Sequence, residues 1–437
     1  MTKTITRREF LTLGAALPIV AAAPNNLSSW LPRLTVFSPL GVETPGDILV
    51  LIFQRGAMDG LSAVIPFTES EYYNQRPTLA IPEPKMGDDL TSIDLDGSFG
   101  LHPALRSLKD IWDDGGLAVV HACGSPDPTH SHFDAMDYME RGTPGEKSLT
   151  SGWLARHLKT AAWENGSPFR AVGIGSMLPS SLRGPVPALA LQSITDFHLG
   201  GRIRNHALVD FQAALSGLYQ TAPTDEIIST ISEINNLSTA ADLTFNATGM
   251  LESAIQGEYQ PSSGALYPES SFGQAMLQVA QLIKADLGLE IAAVDIGGWD
   301  THVNQGSTEG QFADLLTDLA GGISALYQDL GDLNKRVTII TMSEFGRRLS
   351  ENGNAGSDHG HGNVMFVLGG GVNGGKVYTD WPGLSSDELY GPGDLDITTD
   401  FRDVLGEIVQ KRLLNDSLEE IFPGYTNFKT MGIVKSV

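Results

Sequence analysis

The stretch DHGHG, at residues 358–362, concentrates groups that bind metal ions. It contains Asp358, His359 and His361, and an apolar run follows it directly. The whole chain of 437 residues has only 10 histidines. Imidazole nitrogens and carboxylate oxygens together suit zinc, with manganese or iron as second choices. The alternative is a glycine-rich loop with solvated histidines, but the placement favours a metal site.

Further reactive or metal-binding groups follow four apolar runs. They are Asp59 in RGAMDG, Ser131 and His132 in THSHFD, Asp300 and His302 in GGWDTH, and Glu344 and Arg347 in SEFGRR. Because the carboxyl ends of parallel strands meet at one edge of a sheet, where ligands bind, we expect a shared site there. The expected metal ligands are Asp59, Asp300, His302, Glu344, Asp358, His359 and His361.

Several of these residues also have a purely structural interpretation. Asp59 is of a type common in turns, and Asp300 suits a capping position. Glu344 can form an ion pair with Arg347 or Arg348, which is worth little at a protein surface. Each observation alone is modest. Their joint placement at one predicted edge favours a metal site.

Ser131 stands at the start of a predicted helix, 131–140. The structural alternative is a capping box, in which Ser131 caps the helix and Asp134 reaches back. A helix N-terminus also attracts anions, and a neighbouring metal ion would help to ionise the hydroxyl into a nucleophile. Thr129 is the reserve nucleophile. His132 or Arg347 is expected to bind the oxygens of an anionic substrate.

Seven apolar runs predict the strands that position these groups. They are residues 47–54, 117–123, 169–175, 188–192, 289–296, 337–342 and 364–370. Helical patterns lie between several of them, which predicts an α/β fold with a mostly parallel sheet and helices on both faces. If DHGHG joins the shared edge, the strand 364–370 must run antiparallel to 337–342.

Residues 203–284 interrupt this alternation with helical patterns. We interpret them as a helical insertion beside the sheet, with ordinary crossover helices as the alternative. Residues 47–437 are then expected to form a single domain.

The N-terminus has the layout of an export signal. Lys3, Arg7 and Arg8 precede a modest apolar run that ends in small residues, too short for a stable membrane span. TRREFL is similar to the twin-arginine motif. Residues 1–23 therefore predict a twin-arginine signal peptide, followed by a linker over residues 24–46. We expect a periplasmic or secreted protein, with the twin-arginine machinery as a partner and no integral membrane segment in the mature chain.

The composition limits the possible partners and stabilising devices. The formal net charge is -24, so nucleic acid and anionic lipid are poor partners. The chain has one cysteine, Cys123, so no internal disulfide can form. Stability must come from the core, and bound metal can add to it.

Taken together, RGAMDGL, LHPAL, SHFDA, GGWDTH, SEFGR and DHGHGNVMFVLGGGV resemble the exported family called domain of unknown function 1501, over about residues 45–430. The order of the motifs is similar to that of the alkaline phosphatase and sulfatase superfamily. That resemblance implies a three-layer sandwich with one antiparallel strand and up to two metal ions. It implies that Asp59 binds the ion nearest Ser131, the nucleophile. It also implies that Asp300, His302 and one DHGHG histidine bind the other ion.

One departure from the superfamily lies at Ser343 and Glu344, where its members usually carry Asp-His. The resemblance implies an exported metal-dependent hydrolase of phosphate or sulfate esters. A formylglycine sulfatase is disfavoured, because Cys123 is not followed by the required x-Pro-x-Arg. The alternatives are a non-catalytic, metal-stabilised binding protein for extracellular polymers and an exported oxidoreductase. The sequence shows no dinucleotide fingerprint or cluster-binding cysteines in support of the last.

Overall fold

The computed structural model describes residues 46–163, 165–194, 246–251, 254 and 259–437. The predicted signal peptide, the linker up to residue 45 and most of the predicted helical insertion lie outside the described residues. The end of that insertion is described and contains the helix Ser271–Lys284. Every residue assigned to the predicted site is among those described.

The strands form where the sequence has apolar runs. In chain order they are β1 (Ile48–Arg55), β2 (Val64–Pro66), β3 (Ile93–Asp94), β4 (Phe99–Leu101), β5 (Leu117–Gly124), β6 (Ala171–Ile174), β7 (Leu189–Leu191), β8 (Ile291–Gly297), β9 (Val337–Met342), β10 (Arg347–Glu351), β11 (Ser357–His359), β12 (Asn363–Gly369), β13 (Lys376–Tyr378) and β14 (Thr399–Asp400). All seven predicted runs are strands of the large sheet. Every residue of β5, β9 and β12 is buried, as expected of strands covered on both faces.

The large sheet has the strand order β13-β5-β12-β9-β1-β8-β6-β7, and β14 also pairs with β5. Within the described part of this sheet, β12 is the antiparallel strand, and it lies between β5 and β9. The other pairings are parallel. The predicted direction of the strand after DHGHG is therefore confirmed. The amino end of β12 lies at the edge where its neighbours have their carboxyl ends.

The α-helices lie mainly in the connections between strands. They are α1 (Gly60–Ala63), α2 (Ser70–Gln75), α3 (Lys109–Asp113), α4 (His132–Arg141), α5 (Trp153–Thr160), α6 (Ser271–Lys284), α7 (Gln311–Leu330), α8 (Phe401–Lys411) and α9 (Leu418–Ile421). Short 3-10 helices are Pro103–Leu108, Ser180–Leu182, Ser262–Gly264 and Gly331–Arg336. In the described part of the chain, no helix is both long enough and apolar enough to cross a membrane.

Alternate residues of β1 show that the sheet is the middle of three layers. Val50 and Ile52 belong to a hydrophobic core that includes α6 and α7. Leu49, Leu51 and Phe53 belong to a second core that includes α5 and α8. Each fully buried side chain of this kind stabilises the fold by about 1.5–3 kcal/mol. The protein is thus a mixed α/β sandwich with a mostly parallel central sheet, as the sequence predicts.

Buried histidines of this framework predict a loss of stability in acid. Burial lowers the pKa of His102 and His121 to about 4 and that of His157 to about 3. The unfolded chain, with pKa near 6.5, therefore binds protons more readily than the folded one. We expect the free energy of unfolding to fall as the pH drops from about 6.5 toward 4, by up to about 3 kcal/mol per histidine.

Urea unfolding at several pH values, with a chelator present, measures this effect. His121 is a suitable test residue, because its Nε2 lies 3.0 Å from the Val64 carbonyl and its Nδ1 accepts from the Ala122 amide. In His121→Gln, which keeps a donor and an acceptor, the loss of stability in acid should be smaller. An unchanged pH profile in this variant would contradict the assignment.

Candidate metal centre

The centre lies at the sheet edge where the carboxyl ends of the parallel strands meet the amino end of β12. Asp300 and His302 follow β8, and His132 begins α4 after β5. His359 ends β11 in a separate hairpin, where it lies opposite Arg347 of β10. Three segments that are distant in the sequence therefore supply the side chains.

Three histidine nitrogens converge on one carboxylate oxygen, Oδ1 of Asp300. The Nε2 atoms lie 3.5 Å (His132), 3.0 Å (His302) and 3.1 Å (His359) from it. The Nε2 atoms of His302 and His359 are 2.9 Å apart. Ligand atoms of His132, Asp300 and His359 all lie within 4.8 Å of one another. His302 is a fourth member through its two short contacts.

The opposite nitrogen of each ring, Nδ1, faces a hydrogen-bond acceptor. The acceptors are Glu344 Oε1 at 2.7 Å from His132, Asp358 Oδ1 at 3.0 Å from His302, and the His130 carbonyl at 3.0 Å from His359. An acceptor at Nδ1 places the proton of a neutral imidazole there and leaves a lone pair on Nε2. Metal-binding histidines usually have a second contact of this type.

The geometry fits a small divalent cation. Two Nε2 lone pairs 2.9 Å apart, as in His302 and His359, repel each other unless a cation lies between them. Zinc with bonds of 2.0–2.1 Å has tetrahedral ligands about 3.3 Å apart. The 2.9 Å between His302 and His359 and the 3.0–3.5 Å from Asp300 Oδ1 to the three Nε2 atoms are close to that value. The donor set of nitrogen and carboxylate oxygen also suits zinc.

Asp300 is kept ionised by its neighbours. Desolvation opposes its ionisation, but the hydrogen bond from Arg347 and the close contact with His359 outweigh this and lower the pKa to about 2. Arg347 Nη2 donates to Asp300 Oδ1 at 2.7 Å. A carboxylate that is ionised throughout the physiological range is available as a metal ligand.

Arg347 positions the centre and is not free to bind substrate. Its guanidinium is completely buried and donates to the carbonyls of Gly56, Ala57, Trp299 and Ser357. All these bonds hold the loops after β1 and β8 against the hairpin. The structure therefore does not place Arg347 where it could contact the substrate oxygens that we assigned to it.

Glu344 orients His132 instead of facing the centre directly. Its Oε1 accepts from His132 Nδ1 and from the Gly56 amide at 2.8 Å, and Ser343 Oγ donates to Oε2. The hydrogen bond that His132 donates to Glu344 outweighs desolvation and raises the pKa of His132. Gly56 has φ +120, and a Cβ there would lie 2.7 Å from the Asp300 amide, so the loop needs glycine.

Replacement of Glu344 should weaken metal binding without removing a ligand. In Glu344→Gln, the amide oxygen can still accept from His132 and Gly56, but the negative charge that favours the Nδ1 proton is lost. Loss of such an outer partner typically lowers metal affinity about 10- to 100-fold. Competition with a chromogenic chelator measures the affinity.

Glu351→Gln is the matched control. Glu351 lies at the other end of β10 and accepts hydrogen bonds from the Thr78 amide and hydroxyl. Its variant should bind metal like the wild-type protein. An equal loss of affinity in both variants would mean that Glu344 acts only through general stability.

Asp59 is not brought to the centre. The side chain is fully buried, and its oxygens accept from Arg76 at 2.6 and 3.1 Å and from Gln305 at 2.7 Å. It also caps α1 through the Ser62 amide. Burial disfavours ionisation, but Arg76 holds the pKa of Asp59 below its usual value. This carboxylate is committed to an ion pair within the fold.

His361 is also separate from the converging nitrogens. It is buried and stacks on Tyr390, with ring centroids 4.3 Å apart. Burial lowers its pKa to about 4. Of the two DHGHG histidines, His359 is therefore part of the centre and His361 is not.

Ser131 is exposed at the N-cap of α4, and its side chain makes no capping hydrogen bond. Asp134 pairs with Lys147 at 2.5 Å, so it does not reach back to form a capping box. The helix ends normally, at Gly142 with φ +67. The Ser131 hydroxyl is thus not used to cap the helix.

Sequence reasoning assigned His132 to substrate binding and did not include His130 among the site residues. The structure shows His132 with the converging nitrogens and the His130 carbonyl at the Nδ1 of His359. The signal that was present is the His-x-His spacing of THSH, which is the same as that of DHGHG.

A family model described as "Protein of unknown function (DUF1501)" matches residues 47–408. The chain belongs to this family. The match includes every residue of the centre and confirms the resemblance seen in the motifs. A search among curated proteins finds no significant match to the sequence of this DUF1501 protein.

Solved structures resemble this DUF1501 protein only weakly. The PsFucS1 sulfatase from Pseudoalteromonas sp. is 10% identical, with a TM-score of 0.37, and the alignment covers 89% of this chain and 73% of that one. The lipoteichoic acid synthase LtaP from Listeria monocytogenes is 8% identical, with a TM-score of 0.33 and coverages of 91% and 76%. The PH0037 protein from Pyrococcus horikoshii is 12% identical, with a TM-score of 0.31 and coverages of 88% and 99%.

Proposed function

We propose that this DUF1501 protein is an exported, metal-dependent hydrolase of phosphate or sulfate esters. The observation that carries the proposal is the convergence of three Nε2 atoms on Asp300 Oδ1, with each ring oriented from its other side. The ligands would be His132, Asp300, His302 and His359. Zinc is the metal that this donor set favours, with manganese or iron as alternatives. The twin-arginine motif in residues 1–23 supports export.

The number of ions follows from the same residues. Among the described residues, one group of three or more potential ligands meets at close range. Asp59, which the resemblance would assign to a second ion, is neutralised by Arg76. We therefore propose one ion at the centre.

Ser131 is the proposed nucleophile. It precedes His132 directly, it is exposed, and its hydroxyl makes no capping bond. It also lies at the N-terminus of a ten-residue helix, whose partial positive charge favours an anionic ester. When bound, a divalent cation would polarise the ester and lower the pKa of a hydroxyl beside it.

The remaining side chains keep this arrangement in place. Ser131 Oγ would release its proton to solvent and bond to the phosphorus or sulfur atom as the bond to the leaving oxygen breaks. That oxygen would take a proton from solvent and depart as an alcohol. Water would then hydrolyse the serine ester and restore the hydroxyl. Arg347 holds Asp300, and Glu344 holds His132, so both keep their positions through the cycle.

A non-catalytic metal site for a polymer-binding protein is the second candidate. The observation in its favour is that the ligands come from three separate segments, which a structural ion would fasten together. A structural site need not bind a tetrahedral oxyanion, whereas a phosphate or sulfate ester hydrolase must. Oxyanion affinity therefore distinguishes the two functions.

The test combines elemental analysis, oxyanion binding and turnover. We expect the purified protein to contain zinc at near-stoichiometric amounts, to bind vanadate or phosphate, and to hydrolyse members of a panel of aryl phosphates and sulfates. Bound metal with neither oxyanion affinity nor turnover would favour the polymer-binding function. Protein without metal, and unable to take up zinc, would contradict both functions.

A further inference from the structure

Arg348, the residue after the buried Arg347, has a different environment. Its side chain is 36% exposed, and its Nε lies 3.5 Å from Asp394 Oδ1. Arg348 and Asp394 also form an antiparallel backbone bridge, which fixes the segment that bears the guanidinium. This arginine is therefore anchored at its base and accessible at its tip.

Asp394 is the anchor, and the imidazole of His130 lies beside it as well. It is completely buried, and its Oδ2 lies 3.3 Å from His130 Nε2. Within the described part of the chain, neither of its oxygens makes a hydrogen bond of good geometry, and neither do Arg348 Nε and His130 Nε2. The three side chains therefore retain unused hydrogen-bonding capacity.

This cluster adjoins the metal centre without being part of it. The His130 carbonyl faces His359 Nδ1 at 3.0 Å. Arg348 also directly follows Arg347, which lies opposite His359 in the β10–β11 hairpin. The ion pair of Arg348 is with Asp394, whereas the ion pair of Arg347 is with Asp300.

Arg348 is therefore a neighbour of the centre that is not one of its ligands, and it can contact another part of a molecule bound there. A guanidinium held by a carboxylate on one side offers its remaining N–H groups as a fork to carboxylate, sulfate or phosphate oxygens. The chain carries a net charge of -24, so an anionic molecule is attracted only where a cation is presented locally.

We propose that Arg348, held by Asp394, is a second anion subsite. It binds a negatively charged substituent of the substrate other than the ester that reacts. The substrate class is thus a phosphate or sulfate ester with at least one further anionic group. This inference rests on the proposed ester hydrolase function and extends it to substrate selection.

Non-hydrolysable ligands test the subsite independently of turnover. The probes are phenylphosphonate and benzenesulfonate, each plain and as the 3- and 4-carboxy derivatives, titrated calorimetrically into zinc-loaded full-length protein. We expect a carboxylated probe to bind at least about 10-fold more tightly than its plain counterpart, as one charge-assisted contact allows. Arg348→Ala should abolish the difference and leave the plain probe within about 2-fold of wild type.

Two further variants keep the result interpretable. Arg348→Lys preserves the charge beside Asp394 but lacks the fork, so it should retain only part of the preference. Arg106→Ala, which removes an exposed arginine paired with Asp89 at 3.1 Å, should retain all of it. Thermal melts show whether each variant is folded.

The outcomes separate this inference from the proposed function. Equal binding of plain and carboxylated probes by the wild-type protein would overturn the subsite and leave the hydrolase intact. Equal weakening of both probes by Arg348→Ala would also overturn it, because Arg348 would then serve the reacting group. Failure of the wild-type protein to bind any probe would overturn the proposed function and the subsite together.

Discussion

Asp300→Asn is expected to lose the bound metal and, with it, all measurable ester hydrolysis. Asp300 Oδ1 is the atom on which the three Nε2 atoms converge, and Arg347 keeps the carboxylate ionised. Loss of an outer partner alone costs about 10- to 100-fold in metal affinity, so loss of the central ligand should cost more than about 100-fold. Elemental analysis after dialysis and chelator competition measure it.

Thermal melts give the same variant an independent readout. Zinc should raise the melting temperature of the wild-type protein, because a ligand at about 100 times its Kd adds about 2.7 kcal/mol. Zinc should have little effect on Asp300→Asn. The control is Asp332→Asn, which removes an exposed carboxylate that is paired with Lys335. Normal zinc content in Asp300→Asn would remove the basis of the proposed centre.

Ser131→Ala is expected to remove turnover while metal content stays normal. Because Ser131 makes no capping hydrogen bond, its replacement should not cost the stability that is lost with a true cap. Loss of a catalytic nucleophile usually costs far more than about 1,000-fold in kcat. Initial rates on the best ester of the panel, compared with zinc content and melting temperature, measure the effect.

Two companion variants identify the reacting hydroxyl. Ser131→Asp should also be inactive, because it supplies an anion but no hydroxyl to esterify. Thr129→Ala tests the reserve nucleophile; the Thr129 hydroxyl accepts a hydrogen bond from the Ser131 amide at 3.2 Å. Wild-type rates in Ser131→Ala together with an inactive Thr129→Ala would transfer the role to Thr129. Full activity in both would point to a water nucleophile.

The sequence predicted the sheet well because its signals are local. A continuous apolar run such as 337–342 becomes a strand buried on both faces, and β9 has the same bounds. One of the helical patterns between the apolar runs covers residues 312–330, and it lies in the helix Gln311–Leu330. The direction of β12 followed from chain geometry, because the short connection from β9 leaves little room for a crossover. The predicted helices in residues 203–245 lie outside the described residues.

The site was predicted less completely, because the role of a polar side chain depends on a distant partner. Glu344 and His132 are 212 residues apart, and only their contact shows that Glu344 orients His132. Nothing in the sequence marks Arg76 as the partner of Asp59. A fully buried carboxylate nevertheless requires a partner of this kind.

His361 illustrates a different limit. His359 and His361 were both assigned to the centre because both belong to DHGHG; in a strand, residues two apart would also share a face. β11 ends at His359 and β12 begins at Asn363, so this alternation is broken between them. The two rings consequently have different surroundings, which a count of residues along the sequence does not reveal.

Because the proposed ligands come from three segments that are distant in the sequence, a bound cation would crosslink the chain. Asp300 and His359 are 59 residues apart in the sequence. His132 precedes residues 203–284, whereas Asp300 and His359 both follow them. The chain has a single cysteine, so it has no disulfide to restrict its unfolded state. For loops of this length, the entropic estimate for a covalent crosslink is about 4 kcal/mol. Metal-loaded protein should therefore unfold slowly and resist proteases, and a chelator should remove that resistance.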